Sequence, residues 1–262
     1  MSLDIPAAIE DGLSRLPTRV AAILFVAYLV VGVLSTVASQ TVGLAVMERL
    51  QAMLDPANAP PGGPGAMSGG ASPLALDVGL AVAAVLFLAQ IVVAQALGVV
   101  TIRTFVSSAR REFPDSLSRR FGWVVVNALV AGFVVNVLIF VGGIFLIIPG
   151  IYLAVALYFV QFEVIVEDKN VVDALRDGWA LTSGRRLHVF LLLLVIFAIG
   201  LASAVPAYLL GMVNAPALAV VAVSVVLGAV TGLVVAAIGS RAYVQLKPDG
   251  WAPAGEASPF DY

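Results

Sequence analysis

FGWVVVNALVAGFVVNVLIFVGGIFLIIPGIYLAVALYFVQFEVIVEDK, residues 121–169, is the stretch that decides the fold. It holds two apolar runs, 121–147 and 150–167, joined only by Ile147-Ile148-Pro149-Gly150. A helix rises about 1.5 Å per residue and must cross roughly 30 Å of hydrocarbon, so about 20 apolar residues make one crossing. Proline lacks the helical donor and glycine accepts turn geometry, so Pro149 and Gly150 predict a tight outer hairpin between two spans.

Working outward, four more runs of this kind lie near residues 20–45, 75–102, 187–212 and 217–243. The expected fold is therefore all-α, a polytopic membrane helical bundle of six transmembrane helices arranged as three hairpins. Composition agrees. The 262 residues are 61% hydrophobic and 11% charged, with mean hydropathy +1.06, whereas a soluble domain carries about 25% charged residues. Most of the outer surface must then face lipid. The first run is longer than a signal-peptide core and is preceded by Asp4, Glu10 and Asp11, so it is read as a retained helix.

The cations sort by side. Arg15 and Arg19 precede the first span, and Arg103, Arg110, Arg111, Arg119 and Arg120 lie between the second and third. Lys169, Arg176, Arg185 and Arg186 lie between the fourth and fifth, and Arg241 and Lys247 follow the sixth. Only Arg49 falls opposite. By the positive-inside rule both termini are cytoplasmic, in a multi-pass protein of the cell membrane.

Residues 1–19 place Ile5, Ile9, Leu13 and Leu16 on one helical face, which predicts an N-terminal cytoplasmic amphipathic helix. Residues 20–246 form a single six-span membrane domain, and 247–262 a cytoplasmic tail. Within the domain, 46–74 is an external loop whose Pro60–Gly70 part is too rich in proline and glycine to build a core. Residues 170–184 read as a second cytoplasmic amphipathic helix. Asn170 caps it, Val171, Val172, Leu175 and Trp179 share a face opposite Asp173, Arg176 and Asp177, and Gly184 ends it in left-handed geometry. Phe105, Phe113 and Leu117 suggest a similar element broken at Pro114.

Few side chains inside the spans carry chemistry. Gln90, Gln95, Asn127 and Asn136 are the polar ones, and Gln95 and Asn127 lie at matching depth, so a hydrogen bond between them is expected. Glu163 is the one acidic residue clearly within a span; an ion pair with Arg103, Arg241 or Arg185 is its bland reading and a functional carboxylate its sharp one. Ser224, Gly228, Gly232, Ala236 and Ser240, four apart, permit close approach of another helix. Cysteine is absent and His188 is the single imidazole, which argues against disulfides, thiolate metal sites and Ser/His catalysis. A net charge of -2 argues against nucleic acid as a partner. No cofactor is expected.

Residues 140–186 also resemble a known signature. Phe145-Leu146-Ile147-Ile148-Pro149-Gly150-Ile151, an apolar span, then Ala174-Leu175, Trp179, Leu181-Thr182 and Gly184 are similar to a group of prokaryotic membrane proteins. That group includes the YciC-like proteins and the membrane domain attached to some glycerophosphoryl diester phosphodiesterases. Its members read Ala-Leu, Ser-Trp and Leu-Thr before Gly; here Gly178 stands in place of the serine. The resemblance implies paired spans and no catalytic assignment, since phosphodiesterase activity in fused relatives belongs to a separate soluble domain that this sequence does not contain. The functional expectation is a non-enzymatic membrane protein with lipids, or other membrane proteins, as partners. The alternatives are a transporter or channel using Glu163, Gln95 and Asn127, and, last, a membrane-embedded enzyme.

Overall fold

Among residues 3–53, 72–107, 112–248 and 250–254, which the computed structural model describes, there are helices and turns but no strand. In order these are α1 (Ile5–Ser14), α2 (Arg19–Met53), α3 (Leu80–Val106), α4 (Phe121–Phe145), α5 (Ile147–Leu157), α6 (Val160–Glu167), α7 (Val171–Thr182), α8 (Arg186–Met212) and α9 (Ala217–Leu246). A 3-10 turn at Asp115–Ser118 follows Pro114, in place of a third amphipathic helix. Six helices are long and apolar enough to cross a membrane, with α5 and α6 together forming one of them over Ile147–Glu167. The all-helical class read from the sequence is the observed one. Arg110, Arg111 and the Pro60–Gly70 linker lie outside the described residues.

Several boundaries differ from the sequence reading, each for a local reason. The first span continues through Met53, because Met47, Glu48 and Leu50 favour helix and no proline or glycine intervenes. The second begins only at Leu80. Its approach is irregular, with the Leu74 and Leu76 N–H groups donating to Gln40 Oε1 (2.9 Å) and Thr41 Oγ1 (3.0 Å) on α2.

The central hairpin turns at Leu146, in extended geometry (φ -163°, ψ 142°), and not at Pro149-Gly150. Pro149 sits in the first turn of α5, where a helix makes no use of its N–H groups. Gly150 is helical. A Cβ there would stand 2.9 Å from Gly143 Cα and 3.0 Å from Gly143 N. The glycine is therefore required for backbone contact between α4 and α5, as small residues are wherever membrane helices touch.

The chain divides into two compact units. The first comprises Met1–Phe25, Gln95–Gly200 and Thr231–Tyr262, and α5–α6 is its central helix. In that span 50% of the apolar window is buried, against 28% for the next most buried. Val155, Phe159, Val160, Phe162, Val164 and Ile165 pack with Val99, Val124, Ala128, Ile238 and Tyr243. The helix is interrupted at Tyr158-Phe159, and the carbonyl of Ala156 accepts from Thr182 Oγ1 at 3.0 Å. A hydroxyl from α7 thus satisfies a backbone group at the break.

That contact fixes the direction of α7. Lys169 pairs with Asp177, Gly178 backs onto Val160, and Thr182 reaches Ala156, so α7 doubles back antiparallel beside α6 and the end of α5. Asn170 caps it by accepting from Asp173 N, and Gly184 (φ 76°) follows its end, both as the sequence implies. Its inward face is not the Val172/Trp179 side. The buried row is Ala174, Gly178 and Thr182, four residues apart, with Leu175 and Val171 half-buried and Val172 74% exposed. A Cβ on Gly178 would meet Val160 Cγ2 at 2.8 Å and Val160 N and Cα at 3.0 Å. Smallness, and not hydrophobicity, selects the face, since small residues let backbones approach.

The same holds for α1. Ala8 and Gly12 are its buried residues, Ile5 and Ile9 flank them, and Leu13 is exposed. A Cβ on Gly12 would lie 3.0 Å from Ile238 N on α9. Along α9 the close approach to α6 falls at Gly239, off the 224–240 ladder, where a Cβ would meet Phe162 and the Tyr158 hydroxyl at 3.0 Å.

The second unit, Val26–Ala94 and Leu201–Val230, carries outward apolar side chains including Val30, Val85, Leu88, Tyr208 and Leu218. Within it, Ser35 donates to Gln90 Oε1 at 2.7 Å. A cavity of about 310 Å³ is lined there by Tyr28, Gly32, Ser35, Thr36, Ser224 and Gly228, among others.

Candidate functional site

Glu163, at the N-terminal half of α6, is 1% exposed and sits where three elements of the first unit converge. Its Oε2 accepts from Lys169 Nζ at 2.6 Å, and its Oε1 from Lys247 Nζ at 2.7 Å and the Tyr243 hydroxyl at 3.1 Å. Each lysine has a second acid: Asp177 for Lys169 (2.8 Å) and Glu167 for Lys247 (3.1 Å). The Lys247 ammonium also stands 4.7 Å from the Tyr243 ring centre and 5.4 Å from that of Trp251, whose indole donates to Glu167 at 2.8 Å. A buried carboxylate needs this degree of compensation, because desolvation of an unpaired charge exceeds any single contact. Glu163 is ion-paired, but with two lysines and not with the arginines that the sequence suggests.

Outside the long helices, the Lys169 ammonium and the Asp177 carboxyl move apart. Burial alone lowers Lys169, but hydrogen bonds to Asp177 and Glu163 outweigh it and hold the group above the ordinary lysine value. The Lys169 hydrogen bond holds Asp177 below the ordinary carboxylate value, against desolvation.

The three arginines brace other joints. Arg103, buried at the end of α3, donates from Nε to the Ile165 carbonyl (2.9 Å) and from Nη1 to those of Ser116, Leu117 and Arg119 (3.1, 2.9 and 2.8 Å). Its Nη2 meets Asp168 Oδ1 at 2.6 Å, while Arg119 takes Asp168 Oδ2 at 2.6 Å. One planar fork thus closes the α3–α4 connection onto the end of α6. Arg241 pairs with Asp11 on α1, and Arg185 donates to the Leu246 carbonyl at 3.2 Å. Arg103-Thr104-Phe105 and Arg241-Ala242-Tyr243 therefore act alike: the arginine bridges to an acid, and the aromatic two residues on is buried.

The intramembrane amides are likewise engaged. Gln95 does not meet Asn127; its Nε2 lies 3.4 Å from Gln161 Oε1, and Gln161 donates to the Ala128 carbonyl at 3.2 Å. Asn127 and Asn136 donate to the carbonyls one turn back, of Trp123 (2.9 Å) and Gly132 (2.8 Å). Lys169, Lys247, Tyr243, Gln161 and Asp168 are the site residues that sequence reasoning missed. Gln161, one position beyond Val160 in an apolar helix, was the most accessible signal among them. Among the described residues no group of three or more His, Asp or Glu could hold a metal ion.

Pro149, Gly150, Ala174, Leu175, Trp179, Leu181, Thr182 and Gly184 gather along α5–α7. Their geometry is that of a packing motif: Gly150 on Gly143, Ala174 and Thr182 buried, and Trp179 edge-on to Tyr152 at 5.8 Å.

Residues 3–246 match a family described as Domain of unknown function (DUF7847). The chain belongs to the DUF7847 family. The match runs from α1 to the last residue of α9, so the lysine-clasped Glu163, the Arg103 fork and the folded-back α7 lie within the DUF7847 domain, except Lys247 and Trp251 just beyond it. No curated protein and no solved structure matches the chain significantly.

Proposed function

We propose that this DUF7847 protein is a non-enzymatic, lipid-binding protein of the cell membrane, with both termini and the Glu163 end of its helices on the cytoplasmic side. The distribution of lysine and arginine supports that orientation. The 140–186 motif supports a kinship with the YciC-like proteins and the phosphodiesterase-linked membrane domains, and it brings no catalytic assignment with it.

One observation carries the lipid-binding reading. The small residues of α7 turn inward, which leaves Val172 and Trp179 facing out, and Leu187 in the first turn of α8 is exposed as well. An amphipathic helix that offers an apolar rim at the end of a membrane bundle suits lipid. A transport route gains less support, because Gln95, Asn127 and Asn136 direct amide N–H groups to acceptors within the protein and both carboxylate oxygens of Glu163 accept from protein donors. The test is purification in mild detergent followed by mass spectrometry of retained lipids. Val172→Ser with Trp179→Ser should lower the total lipid retained; unchanged retention, or solute flux in liposomes that is lost in Glu163→Gln, would refute the reading.

A further inference from the structure

Arg186 differs from the cations that brace the first unit. Arg103, Arg119, Lys169, Arg241 and Lys247 each face a carboxylate and Arg185 a backbone carbonyl, whereas Arg186 pairs with no described acid and donates to a tyrosine hydroxyl. Its guanidinium carbon stands 4.7 Å from the Tyr152 ring centre and 4.6 Å from that of Trp179. One Nη1 hydrogen goes to the Tyr152 hydroxyl, and Nε is shielded without a protein acceptor. Three helices build the cage: Tyr152 comes from α5, Trp179 from α7, and Arg186 opens α8.

The surroundings are apolar and outward-facing. Ile148 is 79% exposed and Leu187 67%, with Ile151 and Leu191 also exposed. The guanidinium therefore stands at the start of α8 next to exposed apolar side chains. A cation in that setting needs an anion, and aromatic faces supply only part of the compensation. No described residue provides a carboxylate there. The anion present in such surroundings is the phosphodiester of a phospholipid, whose paired oxygens fit the free edge of a guanidinium, and basic pockets between membrane helices take head groups in this way.

We infer that Tyr152, Trp179 and Arg186 form a phospholipid-phosphate site. The two rings fix the plane of the guanidinium, its free N–H edge takes the phosphate, and the acyl chains lie along the Ile148, Ile151, Leu187 and Leu191 surface. The site rests on the lipid-binding reading and gives it a head-group class.

The test uses the full chain exchanged into mixtures of phosphatidylglycerol and a neutral galactosyl diglyceride with the same acyl chains, with bound lipids counted by native mass spectrometry. The parent should be enriched in phosphatidylglycerol. Arg186→Gln should lose that enrichment by about five- to tenfold, as for one cation–headgroup contact, while the total lipid count stays constant. Enrichment that survives Arg186→Gln overturns the site and leaves the general reading standing; a total count insensitive to Val172→Ser with Trp179→Ser overturns that reading instead. An excess of inorganic phosphate should leave bound phosphatidylglycerol unchanged, and displacement would show a free-anion site and refute the lipid assignment. Should Arg186→Gln fail to fold, Arg186→Lys, which keeps charge without the planar fork, should show a partial loss, and full enrichment in that variant would refute the role of the cage.

Discussion

Replacing Glu163 by leucine removes the point on which three elements converge, and the consequence can be worked from the contacts. The carboxylate is 1% exposed and receives Lys169 at 2.6 Å, Lys247 at 2.7 Å and Tyr243 at 3.1 Å. Removing one partner of a buried ion pair costs about 3–5 kcal/mol when the other charge is left alone. Neither lysine is left alone here, since Asp177 and Glu167 remain at 2.8 and 3.1 Å, so that figure is an upper bound. The Tyr243 hydroxyl does lose its acceptor, at about 1–3 kcal/mol for a buried donor. The expected loss is about 2–4 kcal/mol for Glu163→Leu, and about 1–2 kcal/mol for Glu163→Gln, whose amide oxygen still accepts from Tyr243 and Lys247. At about 2–4 °C per kcal/mol for a chain of this size, the leucine variant should melt about 4–16 °C lower. Trp251, 5.7 Å from Tyr243 and bonded to Glu167, makes tryptophan fluorescence in detergent a local reporter of the same event. A leucine variant that melts with the parent would refute the idea that this carboxylate holds the cluster together.

Three further outcomes follow from the same geometry. Arg103→Lys keeps the charge but loses the fork to four carbonyls and Asp168; stability should fall by about 2–4 kcal/mol, with faster amide exchange at Asp115–Arg119 by hydrogen-exchange mass spectrometry. Gly178→Ser, which restores the residue common in the resembling group, should cost about 1–3 kcal/mol by thermal melting, because its Cβ would meet the Val160 backbone at 3.0 Å. The Lys169–Asp177 contact should make stability depend on pH at both extremes. The lowered Asp177 group contributes above the ordinary carboxylate range and loses that contribution as pH falls through its folded value. The raised Lys169 group contributes up to the ordinary lysine range and loses it as pH rises through its folded value. Melting curves of Asp177→Asn against the parent should therefore diverge on the plateau between and converge in acid.

Much of the fold was legible because the hydrophobic length of a membrane helix is a strong constraint, and all six spans are carried by helices at those places. Their ends were less legible. Gln40 and Thr41 hold Leu74 and Leu76 in an irregular approach to α3, and a partner some 35 residues away leaves no local trace. The sequence shows which residues of α1 and α7 share an apolar face but not which face packs inward, because the rule that apolar residues point inward assumes water outside. With lipid outside, Val172 is comfortable facing out and Gly12 or Gly178 is needed inside. The partners of Glu163 escaped for a related reason. Charge and depth admitted several cations, and the selection of Lys169 and Lys247 depends on the bend after α6 and on the point where α9 ends.

The folded-back course of α7 gives four residues of the Ala-Leu, Gly-Trp, Leu-Thr pattern a physical reason. Ala174, Gly178 and Thr182 must be small, because they form the row on which α7 touches α5–α6, and Thr182 must also carry a hydroxyl to satisfy the Ala156 carbonyl at the helix break. Valine at 182 would keep the shape and lose the donor, leaving that carbonyl unsatisfied in an apolar setting. Trp179, one step off the row, is thereby turned outward to meet Tyr152 and Arg186. The packing row and the aromatic cage are thus two faces of one requirement: a helix that must lie flush against its neighbour presents Trp179 on the adjoining side, where with Tyr152 it flanks the Arg186 guanidinium.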